Sequence, residues 1–154
     1  VVGVEIGAAL KNIVALAAGF CDGMDLGANT KAIVMARGFQ EIYRAAASLG
    51  AWSDSFVKES AILGDVLTTC ISPDSRNRTT GEHLGRGLSV PEALKLLKGR
   101  VCAGLETIQI CRMFEKLNVK LPIMTALCDL SEGKINRQEC LARILGAREA
   151  AADA

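Results

Sequence analysis

Aromatic side chains are scarce in this sequence of 154 residues, limited to Trp52, Tyr43 and four phenylalanines. Half of the chain is hydrophobic, chiefly through Ala, Leu, Ile and Val, a balance that favours packed helices over a β-sandwich. Histidine is represented by His83 alone, and the six cysteines, Cys21, Cys70, Cys102, Cys111, Cys128 and Cys140, lie far apart with no CxxC pair. A zinc site is therefore not expected. No stretch reads as a secretory leader and the chain is long enough to build a core, so the thiols are read as reduced and the protein as cytoplasmic. Eighteen basic against seventeen acidic side chains give a net charge of +1, with no basic stripe and no interleaved aromatics, which argues against nucleic acid as a partner. The longest apolar stretch, Ile6 to Phe20, is interrupted by Lys11 and Asn12 and reads as too short to span a bilayer. An initiator methionine is also lacking. The chain opens on Val1 and Val2 and passes almost at once into a helix, so a parent protein continuing upstream is expected.

The length suits one domain, within the usual range of roughly 100 to 200 residues. Ile6, Leu10, Ile13, Val14 and Ala17 follow helical spacing and predict a buried helix over Val4 to Phe20. The glycine-rich CDGMDLGAN, Cys21 to Asn29, reads as a connection, after which Asn29 or Thr30 caps a second helix running to Leu49 and stopping at Gly50. Ser53 is placed as the cap of a short third helix through Ser60, with Gly64 leading into another helical turn over Val66 to Cys70. Pro73, Asp74, Asn77 and two serines make ISPDSRNR, Ile71 to Arg78, a loop. SVPE, Ser89 to Glu92, has the spacing of a capping box ahead of a short helix over Ala93 to Leu97, ended by Gly99. Gly104 to Lys116 and Pro122 to Ser131 are two more helices, the second opened by a proline suited to a first turn. NRQE, Asn136 to Glu139, caps a last one, and the tail after Gly146 is helical or frayed. With no repeat, linker or strand, the expectation is an all-α multi-helix bundle of seven or eight helices around a central one.

Within the first helix, EIGAALKN, Glu5 to Asn12, sets a lysine and an asparagine side by side in an apolar run. Partial desolvation disfavours an ammonium, which is one way an amine comes to exchange protons near neutral pH. A lysine can equally lay its stem along apolar surface and keep its charge in water. The residues alone leave both readings open.

EIGAALKNIVALAAGFCDGMDLGANTKA, Glu5 to Ala32, is followed in order by LGDVLTTC at Leu63 to Cys70, SPDSRNR at Ser72 to Arg78 and LPIMTAL at Leu121 to Leu127. Together these segments resemble the C-terminal domain of the NAD(P)-dependent glycerol-3-phosphate dehydrogenase family, over nearly the whole of residues 1–154. The resemblance implies an all-α domain similar to the C-terminal domain of 6-phosphogluconate dehydrogenase, joined in the whole enzyme to an N-terminal Rossmann half. It implies interconversion of glycerol 3-phosphate and dihydroxyacetone phosphate by hydride exchange with NAD or NADP. No GxGxxG occurs here, so the cofactor is expected to be bound mainly by the absent half, and this chain alone to be inactive. A homodimer is compatible with the resemblance. The alternatives are a helical dehydrogenase domain for another hydroxy acid and a non-catalytic dimerisation module.

By the resemblance, Lys11 is the general acid and base, and Asn12 a polar positioning group beside it. Asp65 and Thr69, one helical turn apart, line the substrate pocket, where the carboxylate orients the lysine or a substrate hydroxyl. Arg76, whose planar fork of donors matches phosphate oxygens, contacts substrate phosphate and cofactor with Asn77, and Ser75 stands next to them. Read without the family, Arg76 is a solvated loop arginine, and Asp65 is equally a pocket residue or a plain helix cap. One departure stands out. Where the family carries Glu or Gln before the glycine of VCAGLET, this chain has Ala103, whose methyl group cannot make that hydrogen bond to the cofactor; Glu106, three residues on, is not assigned the role.

Overall fold

A computed structural model of the protein describes residues 2–51 and 60–146, with side chains over 5–51 and 62–146. Among these residues all regular structure is helical: α1 (Val2–Gly23), α2 (Gly27–Ser48), α3 (Ser60–Ile71), α4 (Arg76–Gly85), α5 (Val90–Lys95), α6 (Ala103–Thr107), α7 (Ile110–Lys116), α8 (Pro122–Ser131) and α9 (Arg137–Leu145). The all-α bundle is as expected. The tail after Gly146 and the expected helix from Ser53 lie outside the described residues, apart from Ser60, which opens α3.

α1 is the central helix, packed on α4 above all and also on α2, α3, α6 and α8. Its stretch Glu5–Gly23 is 19 residues long with a hydropathy of 1.3, long and apolar enough by composition to cross a bilayer, which corrects the expectation of a segment too short to do so. Ile13 through Cys21 are all buried, so other helices enclose that apolar surface. Leu10, Ile13, Leu16 and Phe20 share one core with Phe114 of α7, Ile123, Met124 and Leu127 of α8, and Ile144 of α9. The six cysteines are free and buried. Burial pushes the thiols of Cys70 and Cys140 up to about 12.

The main departure from the sequence expectation is α4, which occupies a segment read as a loop through Arg78 with no helix after it. RNRTTGEHLG has poor intrinsic helix propensity, with two threonines and two glycines. Three contacts compensate. The Ser75 hydroxyl caps the helix by accepting from Arg78 N at 3.2 Å, Glu82 pairs with Arg78 at 3.3 Å and Arg86 at 2.5 Å, and α4 is pressed onto α1 backbone to backbone. A Cβ on Gly81 would stand 2.0 Å from Leu16 O, and one on Gly19 would stand 1.8 Å from Arg78 O. Gly23 and Gly85 complete the seam in the same way, so glycines spaced four apart on both helices let the two axes approach more closely than any side chain permits. Arg78 is anchored further by Asp22 at 2.8 Å, and Asp22 also holds Lys31 at 2.7 Å.

Other boundaries differ for local reasons. α1 continues to Gly23, and the turn to α2 takes only three residues, closed by Met24 N to Phe20 O and Leu26 N to Cys21 O with Asp25 at φ 55°. α2 thus starts at Gly27 with no side-chain cap, not at Asn29 or Thr30. Gly64 does not interrupt α3, whose buried Val66 and Cys70 hold it on the core. The single helix expected over Gly104 to Lys116 is two, α6 and α7. Between them the bonds shorten to Cys111 N to Ile108 O and Arg112 N to Gln109 O, a tighter turn that buries Ile108. The capping boxes of Ser89 with Glu92 and Asn136 with Glu139 are both formed, the first opening α5 at Val90, earlier than expected.

One buried charge was not anticipated. Glu41 of α2, 1% exposed, reaches the start of α8, its two carboxyl oxygens accepting from Ile123 N at 2.8 Å and Met124 N at 3.1 Å. It supplies the cap that α8 lacks locally, since Leu121 at the N-cap has no side-chain acceptor. Burial pushes its carboxyl up to about 7, outweighing those two N–H donors and the nearby Arg44 and Arg37.

Candidate active site

The N-terminal half of α1 is less enclosed than the rest, with Glu5 and Ala8 exposed and Lys11 and Asn12 partly so. Lys11 Nζ donates to Asp65 Oδ2 of α3 at 2.6 Å. The lysine side chain is 23% exposed and the aspartate 55%, so the pair lies at the protein surface. Lys11 therefore falls between the two sequence readings. Its side chain is mostly buried, and its ammonium meets a specific carboxylate from another helix.

The rest of the predicted set gathers around this pair on α1, α3 and α4. Thr69, one turn beyond Asp65, donates its hydroxyl proton to Asp65 O at 2.7 Å, which leaves the oxygen's lone pairs for an incoming donor. Asn12 Oδ1 accepts from Asn77 Nδ2 at 3.0 Å, joining α1 to the first turn of α4. Asn77 Oδ1 accepts in turn from Gly104 N at 2.8 Å and from Cys102 Sγ at 3.3 Å, at the start of α6. Gly104 comes this close because it has no side chain: a Cβ there would stand 2.8 Å from Asn12 O. Arg76 is exposed on the first turn of α4, and its guanidinium has no hydrogen-bond or salt-bridge partner among the described residues. Ser75 is occupied as the cap of α4, although its hydroxyl proton is still available.

The sequence reading missed two partners here. Cys102 and Gly104 hold Asn77, and the only hint was the glycine of VCAGLET at the start of a helix. Asn77 is turned inward towards α1 and α6, while Arg76 is exposed. An apolar groove of about 750 Å³ between α2 and α3 is lined by Leu63, Val66, Leu67 and Ile71, not by Asp65 or Thr69, and is separate from this cluster. No group of three or more potential metal ligands gathers among the described residues.

Residues 1–142 match the family model described as NAD-dependent glycerol-3-phosphate dehydrogenase C-terminus. The chain belongs to that family. A glycerol-3-phosphate dehydrogenase [NAD(P)+] of Paracidovorax citrulli is 38% identical over 98% of this chain and 44% of its own length. One from Clostridium tetani is 45% identical over 82% of the chain and 36% of its own length. The crystal structure of glycerol-3-phosphate dehydrogenase from Coxiella burnetii superposes with a TM-score of 0.87 at 30% identity, over 94% of this chain and 44% of that one. The structure of glycerol-3-phosphate dehydrogenase from Plasmodium falciparum superposes with a TM-score of 0.79 at 26% identity, over 92% of this chain and 42% of that one. The chain thus spans less than half the length of these relatives. Ala103 is the first residue of α6, beside the Gly104 that holds Asn77. Glu106 lies further along α6 and is exposed.

Proposed function

We propose that this chain is the substrate-binding and proton-transferring part of an oxidoreductase that interconverts glycerol 3-phosphate and dihydroxyacetone phosphate. The observation that carries the reading is the Lys11 to Asp65 contact, a lysine on the central helix aimed by a carboxylate from a second helix at an open surface. NAD or NADP, when bound, accepts hydride from the carbinol carbon or returns it to the ketone. In the reducing direction Lys11 gives the proton it holds against Asp65 to the ketone oxygen, and in the oxidising direction its neutral amine takes the hydroxyl proton. Asp65 keeps Nζ pointed at the reacting oxygen throughout. Thr69 Oγ1 accepts from a substrate hydroxyl, and Asn12 Nδ2, held at 3.5 Å from Ala8 O, has a second hydrogen to offer.

Arg76 supplies charge for the phosphate. An exposed guanidinium without a partner among the described residues, on the first turn of α4, suits a dianionic phosphomonoester, and the same group can reach the cofactor's edge. The Ser75 hydroxyl can add a donor there. Ala103 offers the cofactor a methyl group, so contact on that side falls to Arg76 and to the part of the parent protein outside this chain. Among the described residues there is no strand, so a βαβ cradle for a pyrophosphate must also come from outside them. A cytoplasmic, membrane-free homodimer is the assembly we expect.

The test is spectrophotometric: the natural protein, from its own start, with glycerol 3-phosphate and NAD or NADP, compared with Lys11→Met. Removing a general acid and base should cut kcat by at least about 100-fold without moving the unfolding midpoint. Retention of kcat within tenfold would remove Lys11 from the chemistry.

A further inference from the structure

A carboxamide gives hydrogen bonds from two N–H hydrogens and takes them on two oxygen lone pairs. At Asn77 all but one of these are used inside the protein: Oδ1 accepts from Gly104 N at 2.8 Å and from Cys102 Sγ at 3.3 Å, and Nδ2 donates one hydrogen to Asn12 Oδ1 at 3.0 Å. The second Nδ2 hydrogen is left for a ligand oxygen at the site. From this arrangement we infer that Cys102 is a positioning residue, whose thiol fixes the direction in which Asn77 offers that hydrogen to substrate or cofactor. The inference rests on the functional reading above and adds a residue that the motif order did not suggest.

A single donor to a carbonyl oxygen leaves the amide plane free to turn about that bond, whereas donors along both lone-pair directions fix the plane. Both donors to Oδ1 come from the start of α6, where Cys102 is the N-cap and Gly104 the second residue. Asn12 holds the other end through a side chain that can turn together with Asn77, so it does not fix the plane by itself. The thiol is free for this task because it does not cap its own helix: Cys102 has an extended backbone, φ −101° and ψ 92°, and makes no side-chain capping bond. Serine or aspartate at such a place commonly accepts from a helical N–H instead. Cys102 is 2% exposed and packed in the core, so Sγ has little room to leave Asn77. Among the six buried cysteines it is the one whose thiol bonds a residue of the candidate site.

Steady-state kinetics of the natural protein, with urea unfolding run in parallel, test this on three variants. Cys102→Val fills the space without a donor, Cys102→Ser keeps a donor in a smaller side chain, and Cys102→Ala has neither. Loss of one weak hydrogen bond acting through Asn77 should raise KM by about three- to fivefold in the valine and alanine variants, with kcat held within about twofold because Lys11 is untouched. Serine should bring KM back towards wild type. A rise in the KM for glycerol 3-phosphate puts the free hydrogen on the substrate, and a rise in that for NAD or NADP puts it on the cofactor. The opposite order, with valine behaving as wild type and serine impaired, would show that Cys102 only fills space and would overturn the inference. Unchanged KM values in all three variants would do the same, as would losses that follow the urea midpoint.

The S–H stretching band supplies a readout that does not depend on turnover, since it lies in a clear infrared window and falls in frequency when the thiol donates. The Cys102 component, found by difference from Cys102→Val, should shift upward in Asn77→Ala, where its acceptor is gone. An unshifted component would refute the contact whatever the kinetics. A wild-type protein inert towards glycerol 3-phosphate with both cofactors would instead overturn the functional reading, and the infrared result would still decide the thiol contact.

Discussion

Adding one methyl group at Gly81 should separate α4 from α1. The new carbon would lie 2.0 Å from Leu16 O, 2.8 Å from Leu16 C and 2.9 Å from its Cα, all backbone atoms in the middle of the central helix. Ordinary contact begins near 3.4 Å, so the helices must part by roughly 1.4 Å at a place where no side chain can rotate away. Overpacking of this kind costs about 1 to 3 kcal/mol when side chains can yield and more when they cannot, against a helix-propensity gain of about 1 kcal/mol for alanine over glycine. A net loss of about 3 kcal/mol follows, or a fall of 1 to 2 M in the urea midpoint at ordinary slopes of roughly 1.5 to 3 kcal/mol per M. Gly64 provides the control. It is also helical but a Cβ there meets nothing within 4 Å, so Gly64→Ala should gain about 1 kcal/mol. Gly38 falls between them, because its Cβ would press on Val14 Cγ1 at 2.7 Å, a side chain with some freedom to move. Urea unfolding followed by far-ultraviolet circular dichroism should rank the three variants Gly64→Ala, Gly38→Ala, Gly81→Ala from most to least stable. A Gly81→Ala protein that unfolds at the wild-type midpoint would refute the close approach, and equal losses at Gly64 and Gly81 would refute the account of why they differ.

Glu41 predicts an unusual pH dependence: with its folded carboxyl raised from 4.5 to about 7, the folded state keeps a proton that the unfolded chain has released. Its contribution is then complete below pH 4.5 and is lost as pH rises through about 7, on the order of 3 kcal/mol in all. Urea midpoints measured between pH 4.5 and 8 should show that decline in the wild type and lack it in Glu41→Gln; a flat wild-type profile would contradict it. Arg76→Ala should leave the urea midpoint unchanged, because the guanidinium is exposed and has no partner among the described residues. Its KM for glycerol 3-phosphate should rise by about 10- to 100-fold, as expected for one or two charge-assisted hydrogen bonds, with little effect on any turnover of unphosphorylated glycerol. An equal effect on both substrates would move the phosphate away from Arg76.

The elements that could be read from the sequence were those whose start is encoded locally. Ser89 with Glu92, Pro122, and Asn136 with Glu139 each mark a helix within four residues, and each helix is present. α4 could not be read in that way, because its own residues oppose a helix and its support comes from Asp22, Leu16 and Phe20, which lie some sixty residues earlier in the chain. The paired spacing of Gly19 with Gly23 and Gly81 with Gly85 was present in the sequence, but nothing local says that the two pairs meet. The candidate site divides similarly. Lys11 drew attention as a charge in an apolar run, yet its partner Asp65 is 54 positions away and was placed beside it only through the family's motif order. The inward turn of Asn77 depends on the backbone of α6, which a sequence cannot orient.

The seam and the site share one helix, and this decides how damage to one should spread to the other. Arg76 and Asn77 sit in the first turn of α4, about one turn before Gly81, while Lys11 and Asn12 lie on α1 about one turn before Leu16. The contact of Gly81 with Leu16 O therefore sets the distance between the two halves of the site, and it does so through backbone atoms. Side-chain packing can absorb a few tenths of an ångström by changing rotamers, but a backbone contact cannot, so small errors in the seam pass directly into the 3.0 Å bond between Asn77 and Asn12. Loss of stability and loss of activity should consequently separate by position along α4. Substitution at Arg76 should affect substrate alone, and substitution at Gly81 should affect both. Gly85 lies two turns beyond Asn77 and touches Phe20 O, so a methyl group there should weaken the fold while disturbing the site less than one at Gly81. If Gly85→Ala proves as damaging to kcat/KM as Gly81→Ala at equal stability, α4 moves as a rigid rod, and the seam as a whole, not its nearest contact, holds the site in register.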